Sequence, residues 1–318
     1  MQNKLLIYIP SYNRAESLLR QLSALSGSSN RGLFDVAVSN NCSTDMYGYS
    51  DIERLCLQNE FLYSRNGVNV GADANIFNGF LISSKYEYLW ILSDDDLLRD
   101  GAVDDVLDML SNSPDVLFFT HSKKTKLETA KWRQHNLLLN NIYTSDGAGL
   151  ISNVIYSVSF IKDSIPIGFQ NIYTCFAHLS VLIGSFRKKE ANVVLIGSHL
   201  FFLPDTEQPP ENAAGYSKSY FGFVLLGETL EDDLKKEFVN KYASFWNLRH
   251  WAIKSKDSIA FPNVLYAKAY ILKYAYLSNF VRFKLLFWKI ATPILQYIKH
   301  NTSSDFRKAL RSKIGIKF

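Results

Sequence analysis

Asp94, Asp95 and Asp96 stand side by side directly after Tyr88 to Leu92, an apolar run without polar alternation. Such a run is the pattern of a strand buried on both faces of a sheet. Three adjacent carboxylates at its end repel one another and need a partner for their charge. Hard divalent cations such as Mg²⁺ or Mn²⁺ suit carboxylate oxygens, and they commonly bridge one or two of them to a substrate's phosphates. The alternative is a solvated acidic turn capping a helix that starts near Asp100, because Asp is common in turns and at helix starts.

The elements that must position the aspartates decide between the two. Leu5 to Ile9 reads as an apolar strand stopped by Pro10, and Arg14 to Leu25 as a helix with Leu18, Leu19, Leu22 and Leu25 on one face. Phe34 to Val38, Phe61 to Tyr63 and Val116 to Thr120 read as further strands, with helices over Asp51 to Gln58, Gly71 to Ser84 and Ala102 to Leu110. Strands alternating with helices predict an α/β fold with a mostly parallel, doubly wound sheet. Ligands of such sheets bind beyond the carboxyl ends of the strands. The polar stretches Ser11 to Arg14, Asn40 to Asp45, Arg65 to Gly71 and Asp94 to Asp96 then share one edge. Four polar loops at one edge describe a site, and the aspartates belong to it.

A chain of 318 residues with 47% apolar content buries a full core and leaves room for an appendage. No stretch reaches the roughly 18 uncharged apolar residues of a membrane span. The N-terminus runs into a strand-like segment after Lys4 with no signal-peptide pattern. Cys42, Cys56 and Cys175 lack metal or disulfide spacing, which fits a reducing cytosol. The charge is divided unevenly. Residues 241–318 hold fifteen Lys and Arg against Asp257 and Asp305 alone, whereas residues 1–240 carry twenty basic and twenty-eight acidic side chains. An acidic body with a basic tail suggests two jobs in one chain.

Four blocks, in this order and spacing, resemble family 2 glycosyltransferases of the GT-A fold. They are Ile9-Pro10-Ser11-Tyr12-Asn13-Arg14, Asn40-Asn41-Cys42-Ser43-Thr44-Asp45, Arg65-Asn66 with Asn69, Gly71 and Asn75, and Ser93-Asp94-Asp95-Asp96. The resemblance covers roughly residues 3–120, and within the family it is nearest to bacterial enzymes of surface polysaccharides such as O-antigen or capsule. It implies a Rossmann-like sheet and a nucleotide pocket lined by Pro10, Ser11, Tyr12 and Arg14. Tyr12 would offer a ring to the base and Arg14 a charge to the phosphates. Asp95 would hold the ribose, and Asp96 with Asp94 would hold the Mn²⁺ or Mg²⁺ that neutralises the departing diphosphate. Arg65 would reach the base or a phosphate.

Asn40 departs from the family, which usually has an aspartate there to accept the ring N–H of uracil or thymine. An asparagine both accepts and donates, so cytosine becomes admissible at that position.

The second half is less regular. Lys123 to Arg133 reads as a mobile basic loop, Gly147 to Ile161 as small residues followed by a strand, Ile172 to Phe186 as a helix, and Val193 to Leu203 as a strand. Inverting transfer needs a group that removes the acceptor's proton. In the family this is usually an aspartate or glutamate near a helix start, and the common Glu-Asp pair is missing near Gln170 to Thr174. His178, Asp205 and Glu207 are the candidates, His178 against a reading as a hydrogen-bonded core histidine.

Tyr242 to Ile253 and Val264 to Ile298 mix Lys and Arg with aromatic residues in a helical pattern. Basic amphipathic helices with rings suit an anionic bilayer surface. Nucleic acid is the rival partner and is not expected. The expected organisation is a nucleotide-sugar half over residues 1–120, an acceptor half over 121–240 and a basic helical tail over 241–318. The expected function is a metal-dependent, inverting transfer from a nucleotide-diphosphate sugar to a polyprenyl-linked glycan, at the inner face of the cell membrane. The alternatives are a sugar nucleotidyltransferase, whose Gly-rich loop after the first strand is absent, and a non-catalytic nucleotide-sugar-binding or membrane scaffold protein.

Overall fold

The computed structural model describes residues 4–120, 127–139, 148–203 and 226–242, together with Tyr297. Asp205, Glu207, residues 123–126 of the basic loop and the tail beyond Tyr242, Tyr297 apart, lie outside the described residues. The chain divides into two compact units, residues 1–213 with 228–231, and residues 214–227 with 232–318.

The first unit is built on an eight-stranded sheet in the order β3-β2-β1-β4-β7-β5-β8-β6. β1 (Leu5–Ser11), β2 (Phe34–Asn40), β3 (Leu62–Arg65) and β4 (Tyr88–Ile91) are parallel, with β1 between β2 and β4. β7 (Val154–Ser157) runs antiparallel to both β4 and β5 (Val116–Thr120), and β8 (Ala191–Gly197) is parallel to β5. The sequence predicts β1 to β4 to within two residues and Val116–Thr120 as observed, whereas the strand read over Val193 to Leu203 ends at Gly197, where a helical turn over Ser198–Leu200 follows.

Helices cover both faces, because alternate residues of each strand point to opposite sides. Leu5, Ile7 and Ile9 belong to one core with Leu18, Leu22 and Leu25 of α1 (Ala15–Ser26), Tyr49 and Ile52 of α2 (Met46–Gln58), and Val106 and Leu110 of α4 (Ala102–Leu110). On the other face Tyr8 lies under α3 (Ala72–Ile82), where a Cβ on Gly79 would come within 2.7 Å of its ring. Glycine is what allows that close approach. Tyr88, Leu89, Trp90 and Ile91 are all buried, as the unalternating run predicts. Each large apolar side chain so enclosed contributes roughly 1.5–3 kcal/mol.

Three further expectations are corrected. Residues 128–132 of the basic loop form β6 (Glu128–Trp132), antiparallel to β8 at the sheet edge, with Thr129 opposite Val194. An edge strand keeps one side in water, so its polar sequence hides it. α2 begins five residues before the expected Asp51 because Asp45 caps it, accepting from the Gly48 N–H at 3.0 Å. The helix read over Ile172 to Phe186 is broken at Cys175, whose φ of 65° is left-handed, and α8 starts only at Ala177 (Ala177–Lys188). Short helices complete the first unit at Gln134–Leu139 (α5), Val158–Ile161 (α6) and Ile165–Gln170 (α7).

In the second unit the described helix is α9 (Asp232–Tyr242), with Asp232 and Asp233 at its positive N-terminal end. Among the described residues no helix is long and apolar enough to cross a membrane.

Candidate functional site

β1 and β4 are neighbours, but the chain leaves β1 for β2 and β3 on one side before returning to β4 on the other. Such a reversal opens a crevice at the carboxyl ends of the two strands. A cleft of about 400 Å³ lies there, lined by Pro10 and Ser11 at the end of β1, by Tyr12 and Arg14 just after it, by Ser93 and Asp94 after β4, and by Asn41, Asn69, Gly71 and Asn75 among others. Its volume suits a small-molecule ligand.

Neutral amides hold the loops in place. Asn13, at a φ of 55°, accepts the Thr44 N–H at 2.8 Å, and its own N–H donates to Ser43 Oγ at 3.0 Å. The loop after β1 is thereby tied to the loop after β2. Asn41 donates to Asn69 Oδ1 at 2.9 Å and accepts from Asn66 Nδ2 and the Val70 N–H, each at 3.0 Å. Asn75 in α3 accepts from Ser39 Oγ at 2.7 Å and from Asn66 Nδ2 at 3.1 Å. Gly71 ends this loop at a φ of 86°, which glycine adopts without strain.

The charges gather at Arg14. Its Nη1 donates to Asp94 Oδ1 at 3.1 Å and also to Asp95 Oδ2, and Ser93 Oγ donates to the other oxygen of Asp95. Burial works against the charge of Arg14, and Asp95 and Asp94 outweigh it, so its pKa is raised. Asp94 is 4% exposed. Burial pushes its carboxyl above the usual carboxylate range, although hydrogen bonding from Ser11 and the Arg14 charge pull the other way. Ser11 Oγ is 2.6 Å from Tyr49 Oη, which also accepts the Arg14 backbone N–H at 3.3 Å. Either hydroxyl of the Ser11–Tyr49 pair can donate to the other.

Residues 6–209 match the model of glycosyl transferase family 2, more than half of the chain. The chain belongs to glycosyl transferase family 2. This family 2 chain is similar to abequosyltransferase RfbV of Salmonella typhimurium, 26% identical over 178 residues, or 55% of this chain and 50% of RfbV. It thus spans about half the length of that curated relative. Its fold is similar to that of S. aureus TarS residues 1–349, with a TM-score of 0.54 and 16% identity over 81% of this chain and 75% of the other. TarS 1–349 in complex with UDP-GlcNAc gives 0.55 and 15% over 81% and 76%. At these identities the likeness shows the fold, which is the GT-A arrangement the sequence leads one to expect.

Within this family 2 fold, Pro10, Ser11, Tyr12, Arg14 and Asp94 meet in the cleft, with Tyr12 42% exposed. Asp95 adjoins them through Arg14, and Asp96 is the half-buried residue that follows. Three expected residues are placed elsewhere. Asn40 is fully buried, its Oδ1 accepting the Ser43 N–H at 2.8 Å and its Nδ2 donating to Tyr63 Oη at 2.9 Å. Both its polar ends are used inside the fold, so the expectation that it reads a base is corrected. Arg65 binds the Ser43 carbonyl at 3.1 Å and does not line the cleft. His178 is 2% exposed, and its Nε2–H donates to the Ala148 carbonyl at 3.1 Å. Burial pushes its pKa down to about 4. An enclosed, hydrogen-bonded imidazole cannot reach an acceptor hydroxyl, so the core reading of His178 replaces its candidacy as base. Asn41, Asn69 and Asn75, quoted in the family blocks but given no role there, line the cleft. Nothing in the sequence points to Ile151, which also lines it.

Proposed function

We propose that the protein is a glycosyltransferase that moves a sugar from a nucleoside diphosphate donor to a glycan acceptor in the assembly of a bacterial surface polysaccharide. The observation that carries the reading is the convergence of Tyr12, Arg14 and Asp94 on one cleft at the chain reversal between β1 and β4, with Asp95 held to Arg14 beside it. The family match and the similarity to an abequosyltransferase support it. In this reading Tyr12 packs against the base and Arg14 neutralises phosphate oxygens. Asp95 holds the ribose hydroxyls. The reading places the donor in residues 1–120, the acceptor in 121–240 and membrane contact in the basic tail of 241–318.

A divalent cation, Mn²⁺ or Mg²⁺, fits the residues at the cleft. Among the described residues no group of three or more His, Cys, Asp and Glu side chains is arranged to hold a metal by itself. Cations of this kind need only one or two carboxylates and complete their shell with substrate phosphates. In this reading Asp96, the last carboxylate of the run, is the first ligand and Asp94 the second. When bound, the cation supplies charge stabilisation to the departing diphosphate. The transfer we favour is inverting, with the acceptor hydroxyl attacking the sugar opposite the leaving group while a base removes its proton. Asp205 and Glu207 are the carboxylate candidates for that base. A polyprenyl-linked glycan is the acceptor that accords with a membrane-seeking tail.

Incubation with a panel of sugar nucleotides, with Mn²⁺ and a polyprenyl diphosphate-linked glycan, tests the reading. Release of the nucleoside diphosphate from one donor is expected, and its loss in Asp96→Ala with the fold intact. Full turnover in Asp96→Ala, or in excess chelator, would sink the metal mechanism, and no turnover with any donor would sink the enzyme.

A further inference from the structure

Arg14 carries two duties that exclude each other. One nitrogen, Nη1, bonds both Asp94 and Asp95. The same guanidinium is the cationic group of the cleft, with its side chain 52% exposed. Its Nε and Nη2 groups have no partner among the described residues, so most of its donor fork is left for a ligand's oxygens. A guanidinium matches phosphate at least as well as carboxylate, and phosphate accepts it bidentately. The pair with Asp95 is exposed on both sides, so it is screened and easily exchanged. The Asp94 carboxylate, by contrast, suits a divalent cation once Arg14 has left it.

We propose that Arg14 is a latch that makes cation and diphosphate bind together. Without donor it neutralises Asp94 and Asp95 and holds off the cation. The diphosphate draws the guanidinium away, freed Asp94 joins Asp96 at the cation, and freed Asp95 turns to the ribose. Tyr49 steadies the latch, since its hydroxyl accepts the Arg14 backbone N–H and is bonded to Ser11. The inference rests on the reading of the cleft as a nucleoside diphosphate and metal site, and it adds the order of events. The coupling is reciprocal: whatever factor the diphosphate adds to cation affinity, the cation adds to diphosphate affinity.

Mn²⁺ binding followed by electron paramagnetic resonance tests it, with the whole protein, alone and with a mixture of UDP, CDP, GDP and dTDP. The wild type is expected to bind Mn²⁺ weakly alone and more tightly with the nucleotides. Arg14→Gln is expected to bind Mn²⁺ alone about tenfold more tightly and to lose about tenfold of the nucleotide gain, within the range of couplings between linked sites. Arg14→Met, which keeps the length of the stem and removes the charge, should behave alike and serves if Arg14→Gln does not fold. Equal Mn²⁺ affinity of variant and wild type without nucleotide, or an unchanged nucleotide gain, overturns the latch while leaving the metal site standing. Failure of every protein to bind Mn²⁺ under either condition overturns the metal reading itself, and the latch with it.

Discussion

His178→Gln separates a core histidine from a catalytic one. The imidazole is enclosed, and burial lowers its pKa from 6.5 to about 4, against the smaller upward pull of the Ala148 and Gly149 backbone. A depressed folded value means that the unfolded chain takes up the proton first. The stability linked to His178 is therefore complete above about pH 6.5 and is lost as the pH falls towards 4. With about 1.4 kcal/mol per pH unit, roughly 2 kcal/mol is gone by pH 5. Glutamine cannot take up a proton in this range, and its amide can still donate to the Ala148 carbonyl. Urea unfolding of both proteins at pH 7.5 and pH 5 should show the stability difference shifting by about 2 kcal/mol in favour of the variant. Turnover per folded molecule should remain within a few-fold of wild type, where loss of a general base costs about 10²–10⁴. A pH-independent difference, or a turnover loss of that size, would refute the enclosed-core account.

Asn40→Asp should lower stability by about 2 kcal/mol or more, because a charge replaces a fully buried amide. It should leave the ranking of nucleoside diphosphates unchanged in calorimetric titration, and a changed ranking would return position 40 to the base. Asp94→Asn should be no less stable than wild type near pH 7.5. Burial raises the folded pKa of Asp94, so the protonated form favours folding and that contribution is lost as the pH rises through the folded value. Thermal melts from pH 4 to pH 7.5 should show the variant gaining on wild type as pH rises, while donor turnover falls; a variant losing ground over that interval would contradict the burial argument.

The fold was legible wherever one strand or helix carried its own pattern. The buried run at Tyr88, the leucine stripe of α1 and the alternation of elements gave the sheet, and the sheet gave the edge at which the polar loops meet. β6 was not legible, since Glu128 and Lys131 face the chemistry of an edge and resemble a loop. Asp45 could be read as loop or cap until the Gly48 N–H was placed against it. The site was half legible for the same reason. A motif brings a residue to the right loop, but the tertiary partners decide whether its side chain is free. Asn40 is taken by Tyr63 and Ser43, and Arg65 by the Ser43 carbonyl, contacts that span up to 23 residues. His178 depends on Ala148, 30 residues away, in a segment with no pattern of its own.

The most direct measurement is a crystal structure of the protein with Mn²⁺ and the nucleoside diphosphate it binds best. The account predicts the base against Tyr12, the diphosphate on Arg14, the cation on Asp96, and Arg14 parted from Asp94 and Asp95. A nucleotide bound outside the cleft between β1 and β4, or one seated there while Arg14 keeps both carboxylates and no cation meets Asp96, would contradict it.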